Sequence, residues 1–195
     1  VEVDEKEVAI RAELPGSNCG GCGYPGCDGL AAAIAKGEAP ANQCPVGGAP
    51  VGAKIAAILG EEAVTADKKV AYVRCAGDCE SAKEKCNYYG IQDCRAAAVV
   101  PGRGSKKCSF GCMGLGSCVK ECKFDAIHIV NGIAKVDRSR CVGCGKCTAV
   151  CPNGLITLIP DKAVYAVQCS SQAKGKAVKD ACSVGCLGST ACVKP

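Results

Sequence analysis

Apolar positions in the first third of the chain recur at helical spacing. Residues 4–14, DEKEVAIRAEL, alternate charged with apolar residues and are followed by Pro15, which predicts a short surface helix that ends there. Small apolar residues at 30–35 predict a second helix. Residues 51–59, VGAKIAAIL, predict a third helix that ends at Gly60.

The later part of the chain shows strand patterns. Residues 69–75, KVAYVRC, and 163–169, AVYAVQC, are apolar runs that each end in a cysteine. Residues 126–136, AIHIVNGIAKV, alternate on both sides of Asn131 and Gly132, which is the signature of a hairpin with a type I′ turn. We therefore expect two strands and one hairpin here.

Composition changes this picture, because the chain has few residues with which to build a large core. Its 195 residues include 20 cysteines and 25 glycines but no tryptophan, two phenylalanines and five tyrosines. At this cysteine density, either disulfides or metal centres must hold the fold together.

One dense cysteine run favours metal centres over disulfides. It has the spacing C-x2-C-x2-C-x3-C-P, the pattern of bacterial ferredoxins, and consists of Cys141, Cys144, Cys147, Cys151 and Pro152. A disulfide scaffold has no need of this spacing, and zinc sites usually join two separated pairs of cysteines. The run therefore predicts a 4Fe-4S cluster.

A second, self-contained set lies in the glycine-rich N-terminal part. Its spacing is C-x2-C-x4-C-x16-C, and it comprises Cys19, Cys22, Cys27 and Cys44. Glycines between these cysteines let the backbone approach a cluster and donate N–H groups to its sulfurs. We expect one cluster in this segment.

The hairpin separates the dense run from an earlier one, as in a two-cluster ferredoxin. The earlier run contains Cys108, Cys112, Cys118 and Cys122, with Leu115 where the usual spacing has a cysteine. In ferredoxins the fourth cysteine of each run binds the other cluster. We therefore predict one set of Cys108, Cys112, Cys118 and Cys151, and another of Cys122, Cys141, Cys144 and Cys147.

Eight cysteines remain, and parsimony divides them into two more sets: Cys75, Cys79, Cys86 and Cys94, and Cys169, Cys182, Cys186 and Cys192. Cys86 is alternatively a small buried apolar residue. Residues 182–194 repeat 108–120 at eight of thirteen positions. Either Cys169 completes the last set or the natural chain continues beyond Pro195. We expect at least three clusters and at most five.

These patterns predict an α+β fold of small modules stapled by iron–sulfur clusters. The expected divisions are an N-terminal cluster domain at 1–60, a linker at 61–68, a ferredoxin-like domain at 69–162 and a partial second repeat at 163–195.

Other function classes receive little support. The formal charge is +5, but five clusters of about −2 each would bring it to about −5, and no aromatic and basic module for nucleic acid is present. We find neither an apolar run that spans a bilayer nor a signal peptide, so we expect the chain as given to be soluble.

The single histidine, His128, lies on an alternating strand and is expected to be solvent-facing or structural. Gly102 and Gly104 do not form a dinucleotide fingerprint.

The order of these motifs resembles the B subunit of the Rnf complex. The resemblance rests on NCGGCGYPGCDGLA, VRCAGDC, CSFGCMGLGSCVKECKFDAIHIVNG and CVGCGKCTAVCP, and it covers nearly the whole chain. Two features depart from that family: its N-terminal membrane helix is absent here, and Ser189 stands where a ligand is expected.

This resemblance implies an electron-transfer subunit of a membrane-bound, ion-translocating ferredoxin:NAD oxidoreductase. Such a subunit takes electrons from reduced ferredoxin on the cytoplasmic side of the cell membrane and relays them through 4Fe-4S clusters to the other subunits. No bond-making catalytic residues are expected. The alternative is a soluble polyferredoxin or a redox sensor with one open or labile cluster.

Overall fold

A computed structural model describes residues 4–63 and 67–192. These residues form two compact units. The first comprises the described residues up to Val70 together with Val142–Cys144, and the second comprises Ala71–Cys141 and the described residues from Gly145 onward. The expected domain, linker and repeat boundaries include residues 1–3, 64–66 and 193–195, which lie outside the described residues.

Three helices build the first unit: α1 (Glu5–Glu13), α2 (Cys27–Ala35) and α3 (Gly48–Leu59). The Asp4 carboxylate caps α1 by accepting the Lys6 N–H, and Gly60 ends α3 in the left-handed conformation. The helices pack around a small apolar core of Ile10, Leu30, Ile34 and Ile55. All three helices predicted from the sequence are confirmed.

The remaining elements are short and, apart from Lys69 and Val70 at the start of β1, belong to the second unit. In chain order they are β1 (Lys69–Val73), α4 (Cys94–Val99), α5 (Ser117–Lys120), β2 (Ile127–Val130), β3 (Ile133–Val136), α6 (Lys146–Val150), β4 (Ile156–Pro160) and α7 (Lys176–Ala181). β1 pairs with β4, and β2 pairs with β3. The result is a mixed helix and strand structure, in agreement with the predicted class.

The predicted hairpin is confirmed in register and turn. β2 and β3 are antiparallel, with Ile127 opposite Val136 and Val130 opposite Ile133. The turn residues Asn131 and Gly132 have φ values of 50° and 71°, as a type I′ turn requires.

The strand predicted at 163–169 is wrong. These residues have no regular strand pairing, and Val164 and Tyr165 are 82% and 92% exposed. The alternating apolar side chains of this segment therefore have no core to pack against. The strand in this part of the chain is β4, which ends before the segment, at Pro160. At the end of the segment, one backbone bond joins Gln168 to Ala76, whose N–H donates to the Gln168 carbonyl at 3.1 Å.

Candidate metal centres

The N-terminal cysteine set lies between helices of the first unit. Cys27 begins α2, and its N–H donates to Asn18 Oδ1 at 2.8 Å. Gly21 N–H points to Cys19 Sγ at 3.5 Å and Gly47 N–H to Cys44 Sγ at 3.4 Å. Sulfur atoms that receive backbone N–H groups are the environment that a cluster needs.

Burial affects the protonation of one thiol of this set, that of Cys44. It raises the pKa of the Cys44 thiol, and the neighbouring Cys22 and Cys27 raise it further against two backbone N–H groups that lower it. The mutual influence shows that these thiols lie near one another. Metal binding here must therefore displace protons from the thiols.

Four cysteines line a narrow cavity in the second unit. They come from the start of α4, the loop before α5, α5 itself and the end of α6: Cys94, Cys112, Cys118 and Cys151. Burial raises the pKa of Cys118 to about 12, and the other three thiols add to this effect, as does Cys147. We name this group the Cys94 site.

The Cys94 site has a supporting hydrogen-bond network. The buried Ser117 hydroxyl accepts the Cys94 N–H at 2.7 Å and donates to Asp93 Oδ2 at 2.8 Å. Asp93 also caps α4 through the N–H groups of Arg95 and Ala96. The Ser117 hydroxyl is the main cause that lowers the pKa of Asp93, so this carboxylate stays ionised and holds the start of α4 in place.

Backbone N–H groups also face the sulfurs of this region. Ala134 donates toward Cys112 Sγ at 3.5 Å, and Leu155 donates toward Cys151 Sγ at 3.4 Å. Cys122 Sγ receives Ala126 N–H at 3.4 Å, and Cys141 Sγ receives Ala71 N–H at 3.3 Å. These donors come from loops and from strands β1 and β3, so the fold itself places them.

A second cavity, of about 120 Å³, is lined by four cysteines from four separated segments: Cys75, Cys108, Cys169 and Cys182. Burial raises the pKa of Cys182, and the other three thiols raise it further. We name this group the Cys75 site.

Glycines leave space beside the sulfurs of the Cys75 site. A Cβ added at Gly77 would lie 3.1 Å from Cys182 Sγ and 3.8 Å from Cys75 Sγ. A Cβ added at Gly111 would lie 3.5 Å from Cys108 Sγ and 3.6 Å from Cys75 Sγ. Side chains at these two positions would occupy space beside the sulfurs that a cluster would need.

The structure groups several cysteines differently from the sequence-based sets. Cys94 takes the place expected for Cys108, and Cys108 lies instead with Cys75 and Cys182. The reason is that ligand spacing along the chain carries no information about which distant segments fold together. The remaining four cysteines of the predicted irregular sets are exposed: Cys79, Cys86, Cys186 and Cys192. The alternative of a buried apolar Cys86 does not agree with its exposure.

The cysteines are free thiols that are not grouped around a single-ion site in the described residues. No disulfide joins any of the twenty cysteines, all of which lie in the described ranges. Within 4–63 and 67–192, no three His, Cys, Asp or Glu side chains are arranged to hold one metal ion. A cuboidal cluster holds its thiolates farther apart than a zinc ion, whose sulfur ligands lie at about 2.3 Å.

Two other residues of the second unit bear on function. The His128 side chain is 48% exposed and its ring Nε2 lies 3.1 Å from the Asp125 carbonyl, which agrees with a solvent-facing residue. Cysteine spacing does not reveal Lys106, which lines the cavity of the Cys75 site and is only 6% exposed. Its one sequence signal is its position two residues before Cys108.

None of the helices in the part of the chain that the structure describes has the length and apolar character needed to cross a membrane.

Comparison with known proteins agrees with the cluster chemistry. A family described as "Putative Fe-S cluster" matches residues 14–46, and one described as "4Fe-4S binding domain" matches 133–156. The first contains the complete N-terminal cysteine set. The second contains the dense ferredoxin run.

Three relatives match nearly the whole chain. The B subunit of the Na(+)-translocating ferredoxin:NAD(+) oxidoreductase complex of Acetobacterium woodii is 48% identical over 94% of this chain and 55% of its own length. The B subunit of the ion-translocating oxidoreductase complex of Methanosarcina acetivorans is 42% identical over 95% of this chain and 70% of its own. The B subunit of the proton-translocating ferredoxin:NAD(+) oxidoreductase complex of Clostridium ljungdahlii is 41% identical over 95% and 66%. The chain thus spans little more than half of the first relative.

Proposed function

Because the chain belongs to the family of B subunits of ion-translocating oxidoreductase complexes, we propose that it carries electrons from reduced ferredoxin toward the NAD side of such a complex. The other subunits of the complex are its partners, and it works on the cytoplasmic side of the cell membrane. Electrons pass through 4Fe-4S clusters, and the chain supplies no catalytic residue for bond making.

The observation that carries this proposal is the position of Cys118. Its side chain lies in the Cys94 site, and its helix, α5, packs against α6, which carries Cys147 of the dense run. Two ligand sets therefore approach each other at α5 and α6, as in a two-cluster ferredoxin. Adjacent sites are what a chain needs in order to pass electrons.

We propose the following ligand sets. The N-terminal cluster is held by Cys19, Cys22, Cys27 and Cys44. The Cys94 site holds a second cluster through Cys94, Cys112, Cys118 and Cys151. A third is held by Cys122, Cys141, Cys144 and Cys147, which follows the ferredoxin rule that the fourth cysteine of one run serves the other cluster.

The clusters supply reversible one-electron chemistry, and the chain controls it. Thiolates fix the position of each cluster, and buried surroundings keep water away from the sulfurs. N–H groups such as those of Ala134 and Leu155 stabilise negative charge on the sulfurs. One electron leaves the donor and one enters the chain, so no proton or bond has to move.

An exposed apolar surface close to the Cys94 site is suited to docking the donor. Tyr89, Ile91 and Val99 are 91%, 72% and 85% exposed, and they lie on both sides of Cys94 in the chain. Tyr88 and Val100 help line a groove at the same place. Contiguous apolar surface of this kind usually marks an interaction site. We name residues 86–104 the docking segment.

The charge of the docking segment selects an acidic partner. It is bordered by cations that bind neighbouring carbonyl or amide oxygens: Lys85 bonds the Gly102 carbonyl, Lys120 donates to the Gln92 carbonyl at 3.0 Å, and Arg103 donates to Asn153 Oδ1 at 2.9 Å. Asp93 is the only carboxylate in residues 86–104, and α4 uses it as a cap. A ferredoxin with carboxylates around its cluster complements this surface.

Anaerobic stopped-flow mixing with reduced ferredoxin tests the proposal. We expect the visible absorption of the oxidised clusters to bleach, with a rate that rises with ferredoxin concentration and falls as salt is added. If dithionite bleaches the clusters but reduced ferredoxin does not, the assignment of ferredoxin as donor is wrong.

The alternative of a redox sensor with an open cluster receives no support from the described residues. The cavity of the Cys94 site and the cavity of the Cys75 site are each lined by four cysteines. Four thiols match the number of thiolates that a closed 4Fe-4S cluster takes.

A further inference from the structure

The Cys75 site contains a buried positive charge without an acidic partner among its hydrogen bonds. Lys106 is 6% exposed, and its Nζ donates to the carbonyls of Gly77 and Gly132, both at 2.8 Å. Two neutral carbonyls do not balance an ammonium group removed from water. The cavity that Lys106 lines is therefore suited to an anionic occupant.

The thiols of this site are arranged by an internal repeat. Cys75 Sγ receives the N–H of Cys112 at 3.3 Å, and Cys169 Sγ receives the N–H of Cys186 at 3.4 Å. Cys112 and Cys186 occupy the same position in the repeated sequences that begin at Cys108 and Cys182. The first cysteine of each repeat thus supplies a thiol, and the next cysteine in each repeat supplies a backbone N–H.

Backbone hydrogen bonds hold the contributing segments together. Ala76 N–H donates to the Gln168 carbonyl at 3.1 Å, beside two of the thiols. Lys83 N–H donates to the Ala181 carbonyl and Ser183 N–H to the Ser81 carbonyl, both at 2.9 Å. The convergence of the four thiols is therefore a property of the fold in this unit.

We propose that Cys75, Cys108, Cys169 and Cys182 hold a further 4Fe-4S cluster, with Lys106 as its buried counter-charge. The class of cofactor rests on the proposed function, but the ligand set rests on the geometry alone. None of these four cysteines lies in residues 14–46 or 133–156, the segments that the family models match. Cys79, Cys86, Cys186 and Cys192 are exposed and lie outside this ligand set.

The charge balance of the site follows from this assignment. Four thiols lose their protons when the cluster binds, and the oxidised site then carries a net charge of about −2. Reduction adds one electron and one more negative charge. Lys106 stabilises the reduced form more than the oxidised form, and so it raises the reduction potential of this site.

Iron and acid-labile sulfide are counted in the full chain, reconstituted anaerobically. With four clusters we expect about 16 irons per chain, and about 12 for Cys182→Ser or Cys108→Ser. The matched controls Cys186→Ser and Cys192→Ser are expected to keep about 16. A cluster lost from Cys186→Ser would overturn the ligand set in favour of the sequence-based one, which places Cys186 with Cys169, Cys182 and Cys192.

Misfolding is distinguished from specific loss by the spectrum of the variants. Cys182→Ser is expected to keep the electron paramagnetic resonance signals of the other clusters. If Cys182→Ser loses every signal, the variant has misfolded, and the iron count is repeated with Cys169→Ser. If both variants keep about 16 irons, the further cluster does not exist. That result leaves reduction by ferredoxin intact, so failure here and failure of the proposed function are separable.

The role of Lys106 is tested by redox titration of Lys106→Gln. We expect the reduction potential of the cluster in the Cys75 site, the one that Cys182→Ser removes, to shift to a more negative value. The iron count should stay unchanged, and Lys106→Arg should have a potential close to that of the wild type. Lys107→Gln is the matched control, because Lys107 is the next residue, borders the same cavity and is exposed. Equal potentials in Lys106→Gln and the control would overturn the counter-charge role.

Discussion

The backbone N–H of Cys112 donates to Cys75 Sγ at 3.3 Å, while the Cys112 side chain lines the other cavity. One residue therefore serves both the Cys94 site and the Cys75 site. A peptide unit shared by two cluster sites is a short covalent and hydrogen-bonded route for an electron. Through this shared residue, the charge of one site also affects the electrostatic potential at the other.

This relationship predicts magnetic coupling between the two sites. In the fully reduced protein, the electron paramagnetic resonance signals should be broadened, because two paramagnetic clusters lie on either side of one residue. Cys182→Ser, which removes one of them, is expected to narrow the signal of the Cys94 site. Unchanged line widths in Cys182→Ser, with Cys186→Ser as reference, would show that the two sites do not interact.

Ser117 is expected to be important for stability at the Cys94 site. Ser117→Ala leaves the buried Cys94 N–H without an acceptor and removes the hydrogen bond to Asp93 Oδ2, so thermal unfolding of the anaerobic holoprotein should show a loss of about 1–3 kcal/mol.

A matched control for this change exists in the same unit. Ser139 makes the same kind of contact with Asp137, a hydroxyl to carboxylate bond of 2.6 Å, but at an exposed position. Ser139→Ala is expected to cost about 0.5 kcal/mol or less. Equal losses in the two variants would mean that the network around Cys94 adds nothing specific.

Charge reversal in and beside the docking segment should slow electron entry. The double variant Lys85→Glu, Arg103→Glu removes one cation next to the docking segment in the chain and one within it, so the bimolecular rate of reduction by ferredoxin should fall about tenfold or more at low salt. The difference from wild type should shrink at high salt, where surface charges are screened.

The control for docking carries the same change in net charge elsewhere. Lys36→Glu, Lys179→Glu alters two exposed lysines outside the docking segment. If this control slows reduction as much as the first double variant, the effect comes from net charge, and the docking segment is not the entry point.

Local pattern was enough to predict much of the fold from the sequence. The helices of the first unit follow from apolar spacing and from the stop signals at Pro15 and Gly60, and the hairpin follows from the positive φ values that Asn131 and Gly132 tolerate. The strand expected at 163–169 fails because alternation predicts a strand only where a neighbouring strand and a core are available.

The partners of the cysteines were harder to predict for a related physical reason. Ligands closely spaced in sequence, such as Cys19 and Cys22, are restricted by the short chain between them. Cys75 and Cys169 are joined only through hydrogen bonds between distant segments, such as Ala76 to Gln168. The number and chemistry of the cysteines indicated clusters, but only the fold indicates which thiols share a cavity.

The two units should respond differently when iron is removed. The first has three helices of nine to twelve residues packed on the buried Ile10, Leu30 and Ile55, so part of its structure has an apolar core of its own. The second has helices of four to six residues and two-stranded sheets, which are too small to be stable without a staple. We therefore expect its structure to depend on metal binding.

Hydrogen exchange on the anaerobic protein, before and after iron chelation, measures this difference. We expect amide protection to be lost throughout residues 71–141 and to persist in part of α1, α2 and α3. Reconstitution with iron and sulfide should restore protection in the second unit, which separates loss of metal from irreversible damage. Equal loss of protection in the two units would show that the apolar core of the first unit does not hold its helices together, and that both depend on their clusters.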